Sequence, residues 1–225
     1  MAISQEQSVK LEATLDSEGK SHDSQSFQDP NIVDWDGDDD PAHPRNWSKF
    51  LRNLHVVLAS VFTLYANLAA SMFAPGSQQL ASEFNITNST VATFTVTIYL
   101  LGFALGPLVI APLSELYGRL WIYHCSSLVY FAFTLGCALS KNTAMFIVFR
   151  FICGCAASGP TSVGGGTVAD VTSQDERGKA MALFSTGPLL GPVIGPVIGG
   201  FVSENIGWRW TFWIILILVI LQATL

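Results

Sequence analysis

Charge is scarce in this chain of 225 residues. Asp, Glu, Lys and Arg together make up 12% of it, against about 25% in a soluble domain. That charge is also unevenly spread: residues 1–49 hold eleven acids and four bases, residues 50–225 six acids and seven bases. The net charge of −6 is therefore a property of the N-terminal segment. No basic face with interleaved aromatics occurs, which excludes nucleic acid as a partner. Cysteine is sparse too. Cys125, Cys137, Cys153 and Cys155 fall inside apolar runs without metal-ligand spacing, so they read as packing residues and not as a disulfide framework. His22, His43, His55 and His124 are scattered, and no Ser/His/Asp grouping stands at one depth. Metal, cofactor and enzymatic chemistry thus find no residues to carry them. The basic-then-apolar pattern of a secretory signal is missing from the N-terminus.

Apolar sequence is what the chain has in quantity. Half of its residues are hydrophobic, and six long runs stand out at about 54–73, 91–113, 120–139, 143–167, 180–202 and 210–225. Each is close to the ~20 residues that cross a ~30 Å hydrocarbon core, the last being the shortest. The expected fold is all-α and integral to the membrane, a six-span bundle over 50–225. Residues 1–49, rich in Ser, Gln, Asp and Glu, read as a disordered acidic tail. Asp34, Asp36 and Asp38 alternate as in a calcium loop, but Asp39 and Arg45 stand where that loop needs Gly and Glu, so the metal reading fails. Trp47 suits an interfacial anchor. Arg45, Lys49, Arg52, Arg119, Arg177 and Lys179 fall on the N-terminal side of the membrane and only Lys141 and Arg209 on the other, which predicts a cytoplasmic N-terminus. Residues 74–90 then form an exterior connection, with glycosylation sequons at Asn85 and Asn88.

Four features carry candidate chemistry. The run GPLLGPVIGPVIGG sets Gly187, Gly191, Gly195 and Gly199 four residues apart, with Pro188, Pro192 and Pro196 beside them and Gly200 at the end. In water each interior Pro costs a helix about 3 kcal/mol and each Gly about 1. Inside a bilayer such a run forms a kinked helix whose small-residue stripe admits another backbone. Arg150 is a formal charge deep in a run; two readings stand, a functional cation facing water or a partner, and an arginine near enough to an end to snorkel. In APLSELYGRLWIY, residues 111–123, Glu115 and Arg119 have the helical spacing for an ion pair, and Gly118 gives a tight turn. This segment reads as a charged turn or as a gate in which Glu115 meets a helix N-terminus. Asp170, on the same face as Arg119, is its plausible partner. Asn67 is either a cavity residue or packing glue.

Together these segments resemble the major facilitator superfamily, and within it the twelve-span fungal drug:proton antiporters. APLSELYGR is similar to the family's loop motif between spans two and three, with Ala111 in place of its first Gly and Leu120 in place of its second base. RFICG, Arg150 to Gly154, resembles the span-four motif, and the Gly-Pro run resembles the span-five antiporter motif. WDGDDDPAHPRNWS and WRWTFWI also look like this group. The resemblance implies two inverted three-helix repeats, proton coupling through Arg150, and a cytoplasmic gate of Glu115, Gly118, Arg119 and Asp170. It also implies that the helix of Gly187 to Gly200 packs against a partner half. The expected activity is proton-coupled efflux of small apolar compounds, such as a drug, toxin or secondary metabolite, in a plasma-membrane protein. The implied partners are the lipid bilayer, protons, a small-molecule substrate, and a second six-span half or a homodimer. The family has two six-span halves and this sequence reads as the first alone, so the alternative expectation is a non-transporting remnant or a regulator of a full-length relative.

Overall fold

The computed structural model describes residues 46–223, all of whose regular elements are helical. Helix α1 spans Lys49–Met72, α2 Ser77–Glu83, α3 Ser89–Tyr117, α4 Arg119–Ala138, α5 Thr143–Val171, α6 Arg177–Asn205 and α7 Arg209–Ala223. Five helical segments are long and apolar enough to cross a membrane, and α7 is a shorter apolar helix. Apart from residues 46–49, the expected acidic tail lies outside the described residues, as do Asp34, Asp36 and Asp38 and the last two positions of the sixth run.

Side-chain oxygens set three of the helix starts. Ser48 accepts from the Leu51 amide at 3.3 Å, Asn88 from Thr90 at 2.8 Å and Asn142 from Met145 at 2.8 Å, which satisfies amides that have no helical acceptor. The observed helices extend the apolar runs by up to several residues at polar ends. Hydropathy responds to apolar side chains alone, whereas backbone hydrogen bonding continues a helix into polar sequence until a cap or a turn ends it.

The connection expected over 74–90 is largely helical. Ala74–Gly76 forms a 3-10 turn with Pro75 in its first positions, and α2 follows it directly. Leu80 is fully buried, and Gln79 ties the segment to the end of α6 and to the residue that precedes α7. Its Nε2 donates to the Ser203 carbonyl at 2.7 Å, and its Oε1 accepts from the Trp208 amide at 3.1 Å. Asn85 takes a left-handed backbone, φ 52°, that ends the segment before the Asn88 cap.

Two helix pairs pack backbone to backbone. In the first, the glycines of α6 lie on α1. A Cβ at Gly187 would meet the Ser60 carbonyl, one at Gly191 would come within 2.7 Å of Asn67 Cβ, one at Gly195 would strike Ser71, and one at Gly199 would overlap the Met72 carbonyl. In the second, Gly102 and Gly106 of α3 approach the Phe151 and Cys155 carbonyls of α5, and Gly154 of α5 approaches the Tyr99 carbonyl of α3. Both seams follow the small-residue logic by which membrane helices associate. This corrects the sequence reading of the Gly-Pro run, which assigned its glycine stripe to a partner bundle. The stripe is used within the chain because the four glycines share one face with Phe184, which is buried with Val56, Ala59 and Val168. The face left open is the other one, where Leu189, Val193 and Val197 are exposed.

Helix α6 runs unbroken through its three prolines. Pro188 has no N–H, which frees the Phe184 carbonyl of its donor four residues on. Ser60 Oγ of α1 donates to that carbonyl at 3.4 Å and to the Leu183 carbonyl at 3.1 Å. The neighbouring helix thus supplies the donor the proline removed.

Candidate functional site

Arg150 lies two turns into α5, its eighth residue of 29, and is only 2% exposed. Its Nη2 donates to the Ala69 carbonyl of α1 at 3.0 Å. Around it stand the rings of Tyr99, Phe73 and Phe212, with centroids 4.5, 5.1 and 5.4 Å from the guanidinium carbon. The side chain therefore joins α5 to α1, α3 and α7. Of the two sequence readings, snorkelling is overturned, since the guanidinium is in the core and surrounded by rings. Its partners are a carbonyl and three π faces, with no carboxylate among the described residues. Ring faces attract a desolvated cation by about 2 kcal/mol or more, and a guanidinium stays charged under all ordinary conditions. Its Nε is buried without an acceptor. The arrangement thus holds a positive charge whose buried Nε–H is unused.

Tyr99 is itself fully buried and donates its hydroxyl to the Ala66 carbonyl at 2.8 Å. Tyr99 and Arg150 therefore hold carbonyls one turn apart on α1. No sequence signal singled out Phe73 or Phe212, because aromatics in apolar runs are common and their convergence with Tyr99 needs three dimensions. Beside this centre, Phe62, Tyr65, Ser126 and Tyr130 line a cavity of about 20 Å³, roomy enough for one water.

Asn67 is half-buried. Its Nδ2 donates to the Thr63 carbonyl of its own helix at 2.8 Å, and its Cβ lies against Gly191 in the α1–α6 seam.

At the end where α3 gives way to α4, Gly118 adopts φ 83° and ψ 156°, a region essentially closed to residues with a Cβ. This breaks the helix between Glu115 and Arg119. The ion pair read from their four-residue spacing is therefore absent, since that spacing works only on a continuous helix. Arg119 instead pairs with Asp170 of α5, Nη2 to Oδ2 at 2.9 Å. The guanidinium lies over Gly166, where a Cβ would meet it at 2.8 Å from the central carbon. Glu115 is exposed and has no ion pair among the described residues. Nearby, Arg52 of α1 pairs with Glu176 at 2.8 Å.

The opposite end carries a cluster the sequence reading missed. Glu83 accepts from Arg209 and, at 2.8 Å, from Trp208 Nε1, while Arg209 Nη2 donates to the Ser140 carbonyl at 3.0 Å. The signal available was the pairing of two isolated opposite charges at one membrane face, but their sequence distance hid it. Asn85 and Asn88 are exposed at this end, with Asn88 Oδ1 occupied by the Thr90 amide.

These features fit one class of molecule, a multi-pass helical membrane bundle built on glycine seams around a buried cation. Residues 57–225 match the model of the Major Facilitator Superfamily, and the chain belongs to that family, one of transporters and not of enzymes. It is 74% identical over 189 residues to the MFS transporter fsa7 of Fusarium sp. (strain FN080326), covering 84% of this chain and 37% of that one. It is 70% identical over 195 residues to the trichosetin biosynthesis cluster MFS transporter of Gibberella fujikuroi, covering 87% and 40%. The efflux pump radE of Floropilus chiversii is 54% identical over 190 residues, covering 84% and 35%. Among solved structures, the proton:xylose symporter XylE superposes with a TM-score of 0.67 at 15% identity, over 79% of this chain and 46% of that one. That likeness speaks to the fold alone. The chain spans less than half the length of the relatives it matches.

Proposed function

We propose that residues 50–225 form the first, six-span half of a proton-coupled exporter of small, mostly apolar compounds. The reading of export draws on a relative named as an efflux pump and others named as transporters, one of them of a biosynthesis cluster. The observation that carries proton coupling is the buried Arg150 with its free Nε. A fixed cation stabilises any carboxylate that comes near and so makes that acid release its proton more readily. Moving the acid away restores its proton affinity, which is the minimum cycle for coupling. The acid lies outside these helices, in the part of the transporter facing this half. Asn67, close to the α1 carbonyls that Arg150 and Tyr99 engage, contributes to the substrate cavity.

The pairing of helices supports two inverted three-helix repeats. Exchanging the first three spans with the last three maps the α1–α6 seam onto the α5–α3 seam, as an inverted repeat requires. Glu115, Gly118, Arg119 and Asp170 form the cytoplasmic gate, Glu115 being free to meet a helix end outside this bundle. The open apolar face of α6 is where a second half or a second copy docks. The N-terminus is cytoplasmic, residues 1–49 form an acidic tail, the protein resides in the plasma membrane, and Asn85 and Asn88 face outward as glycan acceptors.

Efflux from vesicles under an imposed pH gradient tests the reading, with the transporter assembled with its second half. Arg150→Ala abolishes the dependence of efflux on the gradient, and Cys125→Ala, an exposed thiol, leaves it unchanged. Gradient-driven efflux by Arg150→Ala at the parent rate would refute proton coupling through this residue.

A further inference from the structure

Where α1 and α6 begin, their ends leave an open recess of about 470 Å³. Its charged lining comprises Lys49, Arg52, Lys179 and Glu176. Arg52 is held by Glu176 at 2.8 Å, and that pair cancels. Lys49 and Lys179 have neither an ion pair nor a hydrogen bond among the described residues, so within those residues the recess presents two positive charges without a carboxylate partner. Its wall is of a different character. Val57 and Leu183 line it and are 42% and 43% exposed, and Phe50 just outside is 78% exposed. A soluble anion would use the lysines and leave that apolar wall in water. A ligand with an anionic head and apolar chains uses both.

We propose that this recess binds the headgroup of an anionic phospholipid, its phosphate between Lys49 and Lys179 and its acyl chains along Val57 and Leu183. Ammonium groups act on phosphate as compact point charges that need no fixed geometry, and basic recesses between membrane helices are suited to such headgroups. The Arg52–Glu176 pair has a positioning role. It fixes the start of α6 against α1, and so fixes the distance between the two lysines. The volume lies within the range of small-molecule sites. This inference needs only a membrane-embedded bundle and stands apart from the transport reading.

Native mass spectrometry of the purified chain tests it, with a titration of phosphatidylserine against phosphatidylcholine. The chain retains phosphatidylserine in preference to phosphatidylcholine. Lys49→Gln with Lys179→Gln weakens phosphatidylserine binding roughly 30-fold, from about a fivefold contribution per lysine near a membrane surface. Lys49→Arg with Lys179→Arg stays within about threefold of the parent. Lys141→Gln, at the other end of the bundle, changes nothing. Unaltered binding by the double glutamine variant overturns the site. If that variant does not fold, equal retention of the two lipids by the parent chain overturns it alone. Displacement of the lipid by inorganic phosphate at equal concentration would show a site for free anions and overturn the assignment to lipid.

Discussion

Two adjacent glycines of α6 make opposite demands, and alanine at each separates them. A Cβ at Gly199 would overlap the Met72 carbonyl and lie 2.8 and 3.0 Å from Met72 C and Cα, whereas a Cβ at Gly200 has only Pro75 Cβ, 4.0 Å away. Backbone cannot rotate aside as a side chain can, so Gly199→Ala must push α1 off α6. Overpacking of this kind costs about 1–3 kcal/mol. It is partly offset by the roughly 1 kcal/mol that alanine gains over glycine in a helix. At Gly200 the clash is absent and the helical gain of up to about 1 kcal/mol remains. The two variants should therefore differ by about 1–3 kcal/mol, the helical gain being common to both. For a chain of this size that is roughly 2–12 °C in Tm, with Gly200→Ala at or above the parent. Thermal unfolding of the purified bundle in one detergent, followed by tryptophan fluorescence, measures this. Equal Tm values for the two variants would refute the close approach of α6 to α1 and with it the glycine-seam account.

Two further outcomes follow from the same geometry. Gly118→Ala meets no neighbour, since nothing lies within 4 Å of the added carbon, so its cost of about 1–3 kcal/mol is purely conformational. Gly118→Asn should recover little of it, because the region is not the left-handed helical one that Asn tolerates, and thermal unfolding reads both. A double-mutant cycle of Arg119→Gln and Asp170→Asn should give a coupling of only about 0.2–1 kcal/mol, both side chains being more than a third exposed. A coupling above about 3 kcal/mol would show a far drier pair than this one.

The membrane-spanning character was legible because it rests on apolar runs of a fixed length, a property each segment carries alone. That Arg150 lies within such a run was legible in the same way, but its burial was not, since an arginine at that depth could also have snorkelled. What could not be read were relations between segments. The glycine stripe announced close packing without naming its partner, and α1 offers no glycine of its own, only alanines and serines such as Ser60, Ala66, Ala70 and Ser71 among larger residues. Glu115 and Arg119 looked paired because spacing on one helix was assumed. The glycine that breaks that helix was visible, but its backbone angles were not. Residues 74–90 lacked a long apolar run, so hydropathy gave no sign that Leu80, with the hydrogen bonds of Gln79, would anchor a helix.

The two seams also determine how this bundle can deform. Where a glycine rests on backbone, as Gly199 does on Met72 and Gly102 and Gly154 do between α3 and α5, no side chain at that contact can change rotamer to accommodate a slip, so each pair resists sliding and behaves as a plank. Arg150 and its rings lie where the planks meet, and ring faces offer a cation several orientations of similar energy. A shape change that kept both seams would move one plank past the other at Arg150, whose side chain touches α1, α3 and α7 from α5.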